Sequence, residues 1–324
     1  IKYFKKNPPP TVGKPSVTSQ VVHFLNRPMP KNIPTKTSRG LLGIEDDKTV
    51  PVIRNHQIID DNSEAVFYFP GCGSERLFSQ VGLATQAMLY EVGAITVLPP
   101  GYLCCGYPQT SSGNHDKGQE ITTDNRVQFH RVANTLNYLD IKTVIVSCGT
   151  CMDQLQKYEF EKIFPDCRLL DIHEYLMEKG VKMEGVNGQH YMYHDPCHSP
   201  MKTYNSLDVT KSLMDKEVIL NERCCGESGT FAVSRPDVAT QVKMRKQEEI
   251  EKGLKEISPT NKNESVKILT SCPSCLQGLA RYGEDTSTTT DYIVVELAKN
   301  NLGDQWLEEY VEKATNGGIE KILL

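Results

Sequence analysis

Val144-Ile145-Val146-Ser147-Cys148-Gly149-Thr150-Cys151 and Ile268-Leu269-Thr270-Ser271-Cys272-Pro273-Ser274-Cys275 follow one pattern, 124 residues apart. In each, a β-rich apolar run leads into a C-x-x-C that opens a helix. Upstream lie Cys104-Cys105-Gly106 and Cys224-Cys225-Gly226, 120 residues apart, and before them Cys72 and Cys197, 125 apart. The flanks repeat as well: Phe67-Tyr68-Phe69-Pro70-Gly71-Cys72 parallels Met192-Tyr193-His194-Asp195-Pro196-Cys197. Scattered cysteines do not hold so constant an offset, so the chain is an internal duplication of a unit of about 125 residues.

Around these runs the pattern alternates. Strands are expected at 65–69, 94–97, 143–147, 189–194, 217–220 and 266–270. Between them, helical spacing of apolar residues covers 79–92, 122–139, 206–214 and 236–252. Such alternation gives βαβ units and a mostly parallel sheet. The expected fold class is α/β, with two pseudo-symmetric, small βαβ (Rossmann-like) domains at 61–186 and 187–302. The cysteines fall just past strand C-termini, where open α/β sheets place their ligands. Residues 1–60 carry Pro8-Pro9-Pro10, Pro15, Pro28, Pro30, Pro34 and Pro51 with little periodicity, which reads as an extended N-terminal arm or linker. Residues 303–324 read as a polar C-terminal helix, with Trp306, Leu307, Tyr310 and Val311, that packs locally.

The 324 residues are 38% apolar, carry a net charge of −5 and include eleven cysteines. No apolar run is long enough for a membrane helix. The mild acidity argues against a nucleic-acid partner. An odd cysteine count, a chain long enough to bury its own core and an N-terminus without a signal peptide argue against a secreted disulfide framework. A cytoplasmic protein is expected, peripheral to a membrane at most through its partners. Since the chain begins at Ile1, we read it as processed or as one piece of a longer polypeptide.

Ten cysteines therefore form two sets of five, and Cys167 stands outside as a buried structural residue. A C-x-x-C at a helix N-terminus presents two sulfurs to one centre, and the helix dipole favours thiolate there. Adjacent cysteines such as Cys104 and Cys105 are expected to diverge, serving two metals of a cluster rather than one small ion. Gly106 and Gly226 allow a tight turn and offer N–H groups near sulfide, so both are candidate cofactor-binding residues. Five sulfurs exceed the four taken by structural zinc or a cubane cluster. Redox dithiols, zinc half-sites and buried thiols remain competing readings of the motif. The ferredoxin run of closely spaced cysteines is absent, and so is a G-x-G-x-x-G opening a helix, so neither FAD nor NAD is expected on this chain. His194, Asp195 and His198 beside Cys197 are candidates for donors to sulfur or proton carriers, or simply shape the turn. Glu227-Ser228-Gly229 reads as part of a cluster loop, and His130 and His173 as ordinary residues. No catalytic residue is assigned.

These motifs resemble the cysteine-rich CCG domain family, in which one Cys is followed by Cys-Cys-Gly and then C-x-x-C. The family occurs in the cysteine-rich subunit of heterodisulfide reductase and in iron–sulfur subunits of glycolate, D-lactate and anaerobic glycerol-3-phosphate dehydrogenases. The resemblance covers about residues 65–280. The run from Phe69 to Gly106, with Pro70-Gly71-Cys72-Gly73-Ser74-Glu75-Arg76, is similar to the C-terminal region of very large FAD-linked oxidoreductases, which also carry flavin and ferredoxin domains. The resemblance implies two noncubane [4Fe-4S] clusters. One would be held by Cys72, Cys104, Cys105, Cys148 and Cys151, the other by Cys197, Cys224, Cys225, Cys272 and Cys275. It implies an iron–sulfur component of a larger oxidoreductase, passing electrons between a flavin-containing or ferredoxin-like 4Fe-4S partner and a disulfide or quinone acceptor. The alternatives are a heterodisulfide-reductase-type subunit that cleaves a disulfide at its clusters, and a zinc-bearing, non-catalytic scaffold; for the cofactors, the alternative is zinc in one site. The spacing departs from the family most between Cys197 and Cys224, which only 26 residues separate.

Overall fold

The computed structural model describes residues 34–183, 188–227, 231, 235–257 and 265–324. In chain order its first part comprises α1 (Ser38–Leu42), β1 (Thr49–Ile53), β2 (Ala65–Phe69), α2 (Ser79–Glu91), β3 (Ile95–Val97), α3 (Tyr107–Ser111), α4 (His115–Thr135), β4 (Thr143–Val146), α5 (Gly149–Leu155), β5 (Arg168–Asp171) and α6 (Ile172–Glu178). The second part comprises β6 (Gln189–His194), α7 (Ser206–Met214), β7 (Val218–Leu220), α8 (Pro236–Ile257), β8 (Ser265–Thr270), α9 (Pro273–Ala280), β9 (Thr289–Tyr292), α10 (Ile293–Leu302), α11 (Trp306–Lys313) and β10 (Ile319–Leu323).

β2 and β4 are buried at every position, as parallel strands covered on both faces must be. They lie in a sheet of order β10-β1-β3-β2-β4-β5, while the second sheet runs β7-β6-β8-β9. β3, β2, β4 and β5 pair in parallel, and so do β7, β6, β8 and β9. The strand order is thus the same in both units, and the duplication legible in the cysteines extends to the topology.

Four strands were not expected. β5 and β9 are short and partly polar, and each runs directly into the helix that follows it. β1 and β10 form an antiparallel pair, and β1 also pairs antiparallel with β3. Residues 34–60 are therefore not an extended arm: they supply α1 and a fully buried strand of the first sheet. Residues 1–33 of the expected arm lie outside the described residues. The C-terminal helix is present as α11; it packs on its chain neighbours and also on α2, and the chain returns as β10. The helix expected at 122–139 starts earlier, because the Asn114 side chain caps it by accepting from Lys117 N.

The two sheets share a core. α2 is buried from Ser79 to Tyr90, which marks an internal helix, and it packs against α10 and α11. Tyr68, Ile145 and Leu170 from the first sheet meet Tyr193, Leu269 and Ile293 from the second part in one apolar cluster. Two outer cores hold the sulfurs: Cys105, Cys148 and Cys151 with Phe67 and Phe129, and Cys225, Cys272 and Cys275 with Met192 and Ile268. At the centre, the buried Tyr292 hydroxyl shares its single proton between Ser147 O (2.6 Å) and Ser271 O (2.8 Å), the carbonyls preceding the two C-x-x-C motifs. Tyr292→Phe leaves two buried carbonyls short of a donor. We expect a loss of about 2 kcal/mol, read as a lower urea midpoint with an unchanged slope. An unchanged midpoint would show that the bridge contributes nothing.

Candidate metal centres

Each unit delivers its sulfurs in the same way. Cys148 and Cys272 are the N-cap residues of α5 and α9, with extended backbone, so Cys151 and Cys275 fall in the first helical turn. The helix N-terminal field and free N–H groups there favour thiolate. In the Cys-Cys-Gly loops, Gly106 (φ +87°) and Gly226 (φ +80°) adopt the left-handed turn. Their N–H groups point back at Cys104 Sγ (3.5 Å) and Cys224 Sγ (3.4 Å). Tyr158 OH donates to Cys105 O and Tyr282 OH to Cys225 O, both at 3.0 Å, fixing each loop from below. Tyr68 pairs with Ser147 Oγ at 2.8 Å, and Tyr193 with Ser271 Oγ at 3.2 Å.

Nine of the ten thiols form one continuous line of mutual influence. Cys105 and Cys72 share protons with Cys104 and hold it down at about 3. Cys105 in turn meets Cys151, and Cys151 meets Cys148. Cys151 and then Cys272 hold Cys148 well below the usual thiol range. The line continues from Cys272 to Cys275, from Cys275 to Cys225 (Sγ–Sγ 3.4 Å) and from Cys225 to Cys224. Cys148 and Cys272, one from each unit, act on one another's protonation, so the two sets adjoin there. Cys197 is exposed at the rim, close enough to Cys224 to act on it by charge. Within each pair one thiol is lowered and its neighbour raised, Cys104 against Cys105 and Cys225 against Cys224, as two sulfurs acting on one another.

The donor set fits a thiophilic metal. Six of the ten sulfurs are buried, in apolar surroundings where unpaired charge is costly. The backbone also leaves no room beside them: a Cβ on Gly71 would lie 2.6 Å from Cys151 Sγ. The first loop is braced by the buried pair of Arg39 and Glu75, and Arg39 also donates to Pro99 O at 2.8 Å. That makes residues 34–60 part of the site's support.

The polar candidates separate. His194 is fully buried beside Cys225 and Cys275. Asp195 accepts from Tyr193 OH at 3.0 Å. His198 pairs with Asp153 of the first unit, and its ring meets Tyr107 edge-on. Glu227 is buried and accepts from Gln277 Nε2 at 2.6 Å, while Ser228 and Gly229 lie outside the described residues. His173 is a core residue whose Nε2 accepts from Val294 N across the units, and His130 is exposed. Cys167 is half-buried, and burial raises its thiol to about 11. Sequence reasoning missed Tyr158, Tyr282, Asn125 and Lys246. The two tyrosines were findable, since they stand 124 residues apart like the cysteines around them. Asn125, which donates to Cys104 O at 2.7 Å, and Lys246 reach the site only through helix packing.

Two α/β units of one topology, each gathering cysteines at the carboxyl ends of its parallel strands, define a duplicated thiol-rich metal-site protein. The model of the Cysteine-rich domain (CCG) matches residues 66–156 and 191–280, and the chain belongs to that family. A domain of unknown function (DUF3400) matches 280–324. Among curated relatives, a subunit of the CoM/CoB fumarate reductase of Methanothermobacter marburgensis is 29% identical over 57% of this chain and 37% of its own length. "Probable glycolate oxidase iron-sulfur subunit" of Bacillus subtilis is 24% identical over 65% of this chain and 48% of its own length. "Lactate utilization protein A" of an Exiguobacterium species is 24% identical over 55% and 77%. The chain spans less than half the length of the first curated relatives it matches.

Proposed function

We propose that this chain is the iron–sulfur part of a larger oxidoreductase and carries two clusters of the noncubane [4Fe-4S] type. The first would be held by Cys72, Cys104, Cys105, Cys148 and Cys151, the second by Cys197, Cys224, Cys225, Cys272 and Cys275. The observation that carries this reading is the recurrence of one five-cysteine arrangement in both units, with a C-x-x-C capping a helix and a Cys-Cys-Gly turn facing it at the ends of equivalent strands. The family and the names of the relatives support it. When bound, the clusters supply one-electron chemistry. The protein's own residues present deprotonated sulfur, exclude water with Phe67, Phe129, Met192 and Ile268, and fix the loops through Tyr158 and Tyr282. Electrons would arrive from a flavin-containing or ferredoxin-like partner and leave to a disulfide or quinone. No described helix is long and apolar enough to cross a membrane, so a cytoplasmic site is proposed, with membrane contact only through partners.

One observation favours a different occupant of the second site. His194, Cys225 and Cys275 place their ligand atoms within 4.8 Å of one another, a donor set that also suits zinc. Anaerobic counting of iron, acid-labile sulfide and zinc separates the readings. About eight irons per chain support two clusters, about four with one zinc support the mixed chain, and zinc without iron overturns the redox reading. EPR of the reduced protein identifies the cluster type.

A further inference from the structure

Position 194 makes the two centres unequal. The residue that ends β2 in the first unit is Phe69, and its counterpart at the end of β6 is His194. Both are fully buried. The His194 Nδ1 faces Lys246 Nζ at 3.0 Å and lies farther, 3.4 Å, from Asn221 O, and its Nε2 is buried without a hydrogen-bond partner among the described residues. With Nδ1 turned to the lysine, Nε2 is the nitrogen left for the sulfurs of Cys225 and Cys275.

Lys246 decides what that nitrogen does. It is fully buried on α8, and its Nζ has three neighbours: His194 Nδ1, Asn221 O at 2.8 Å and Glu222 O. An ammonium has three N–H groups and no lone pair, so all three neighbours are acceptors. Burial pulls Lys246 down to about 8, and the thiols of Cys225 and Cys275 pull it back up. Asn221 O already takes a Lys246 proton at 2.8 Å and stands farther from Nδ1 than the lysine does, so the shorter contact makes Nδ1 the acceptor and leaves the ring proton to Nε2. A metal-ligating histidine shows the reverse arrangement, donating from its far nitrogen.

We propose that His194 donates its Nε2–H to a sulfur of the second centre, held in that tautomer by Lys246, and that this bond makes the second centre the one of higher potential. The inference rests on the reading that the chain carries two iron–sulfur centres. Hydrogen bonds to cluster sulfur stabilise the reduced, more negative state, and a buried cation nearby acts in the same direction. The first centre has Phe69 where this donor stands. An electron entering the chain would therefore come to rest on the second centre. Lys246 is a positioning residue, acting through the imidazole.

The test is a redox titration of the anaerobically purified full chain, followed by EPR, for the native protein, His194→Phe and Lys246→Met. Two midpoints are expected. His194→Phe should lower only the upper one, by about tenfold in its reduction equilibrium, or about 59 mV for one electron. Lys246→Met should move it the same way by less, with iron content retained in both. In the native protein, pulsed EPR should show an exchangeable proton near the second centre and only weak coupling to histidine nitrogen, a readout that requires no variant. A strong nitrogen coupling of a bound ligand, no exchangeable proton, or an unmoved midpoint in an iron-replete His194→Phe chain would overturn the inference while leaving the proposed function standing. Absence of iron and sulfide in the native chain would overturn the proposed function, and the inference with it.

Discussion

Gly149→Ala is expected to be severely destabilising, whereas Gly73→Ala, at the same junction, should be nearly silent. Gly149 follows Cys148 and opens α5, and an added Cβ would sit 1.5 Å from the backbone oxygen of His198 and 2.6 Å from its carbonyl carbon. Neither atom is the end of a flexible side chain. Relief requires the Cys197–His198 turn of the second unit to move away from α5 of the first. The two halves of the sulfur line meet at Cys148 and Cys272, so that displacement also pulls on both sites. Overpacking typically costs 1–3 kcal/mol where side chains can shift, so a backbone clash should cost about 3 kcal/mol or more. At Gly73 the new methyl would rest 3.5 Å from Pro273 Cβ, an ordinary contact across the same junction. Thermal melting and urea titration of the two variants check this. Equal stability of both would show that the units are not packed through the Gly149–His198 approach.

The cysteine grammar made the duplication legible, because sulfur chemistry fixes residue type at each position and a constant offset survives changes in loop length. β2, β4, β6 and β8 were legible for a related reason: strands buried on both faces are written as short apolar runs. What escaped notice carries no such imprint. β1 contains Pro51 among the prolines that suggested an arm, yet it lies inside the sheet. Pro51 accepts from Leu98 N at 3.0 Å, one residue past the end of β3, so its missing N–H falls where that ladder already stops. β10 is an edge strand with Leu323 largely exposed, and its five residues acquire meaning only from pairing with β1. At the site, His194 could be singled out by its neighbourhood to Cys197. Lys246 could not, since it stands 52 positions further along the chain and reaches the histidine only through helix packing.

Stripping the metal should cost far more than any single contact discussed above. The stripped chain must keep Cys105, Cys148, Cys151, Cys225, Cys272 and Cys275 buried with no cation among them. Neighbouring sulfurs, and after them burial, raise the thiols of Cys72, Cys105, Cys151, Cys224, Cys272 and Cys275, so the stripped chain holds protons there that a loaded chain has released. On the proposed function, loading exchanges those protons for metal–sulfur bonds, and the binding free energy becomes folding free energy. For structural metals that is on the order of 10 kcal/mol per site. The sign of the pH dependence follows. Lower pH favours the proton-holding stripped form, so the stability gap between loaded and stripped protein narrows as pH falls and widens as it rises. Parallel melting of loaded and chelator-stripped protein across a pH series, with metal content measured on each sample, tests both statements. A stripped chain that melts with the loaded one would mean that Tyr292, the shared apolar core and the Gly149 approach hold the two units together unaided, and that the sulfur line is not a folding element.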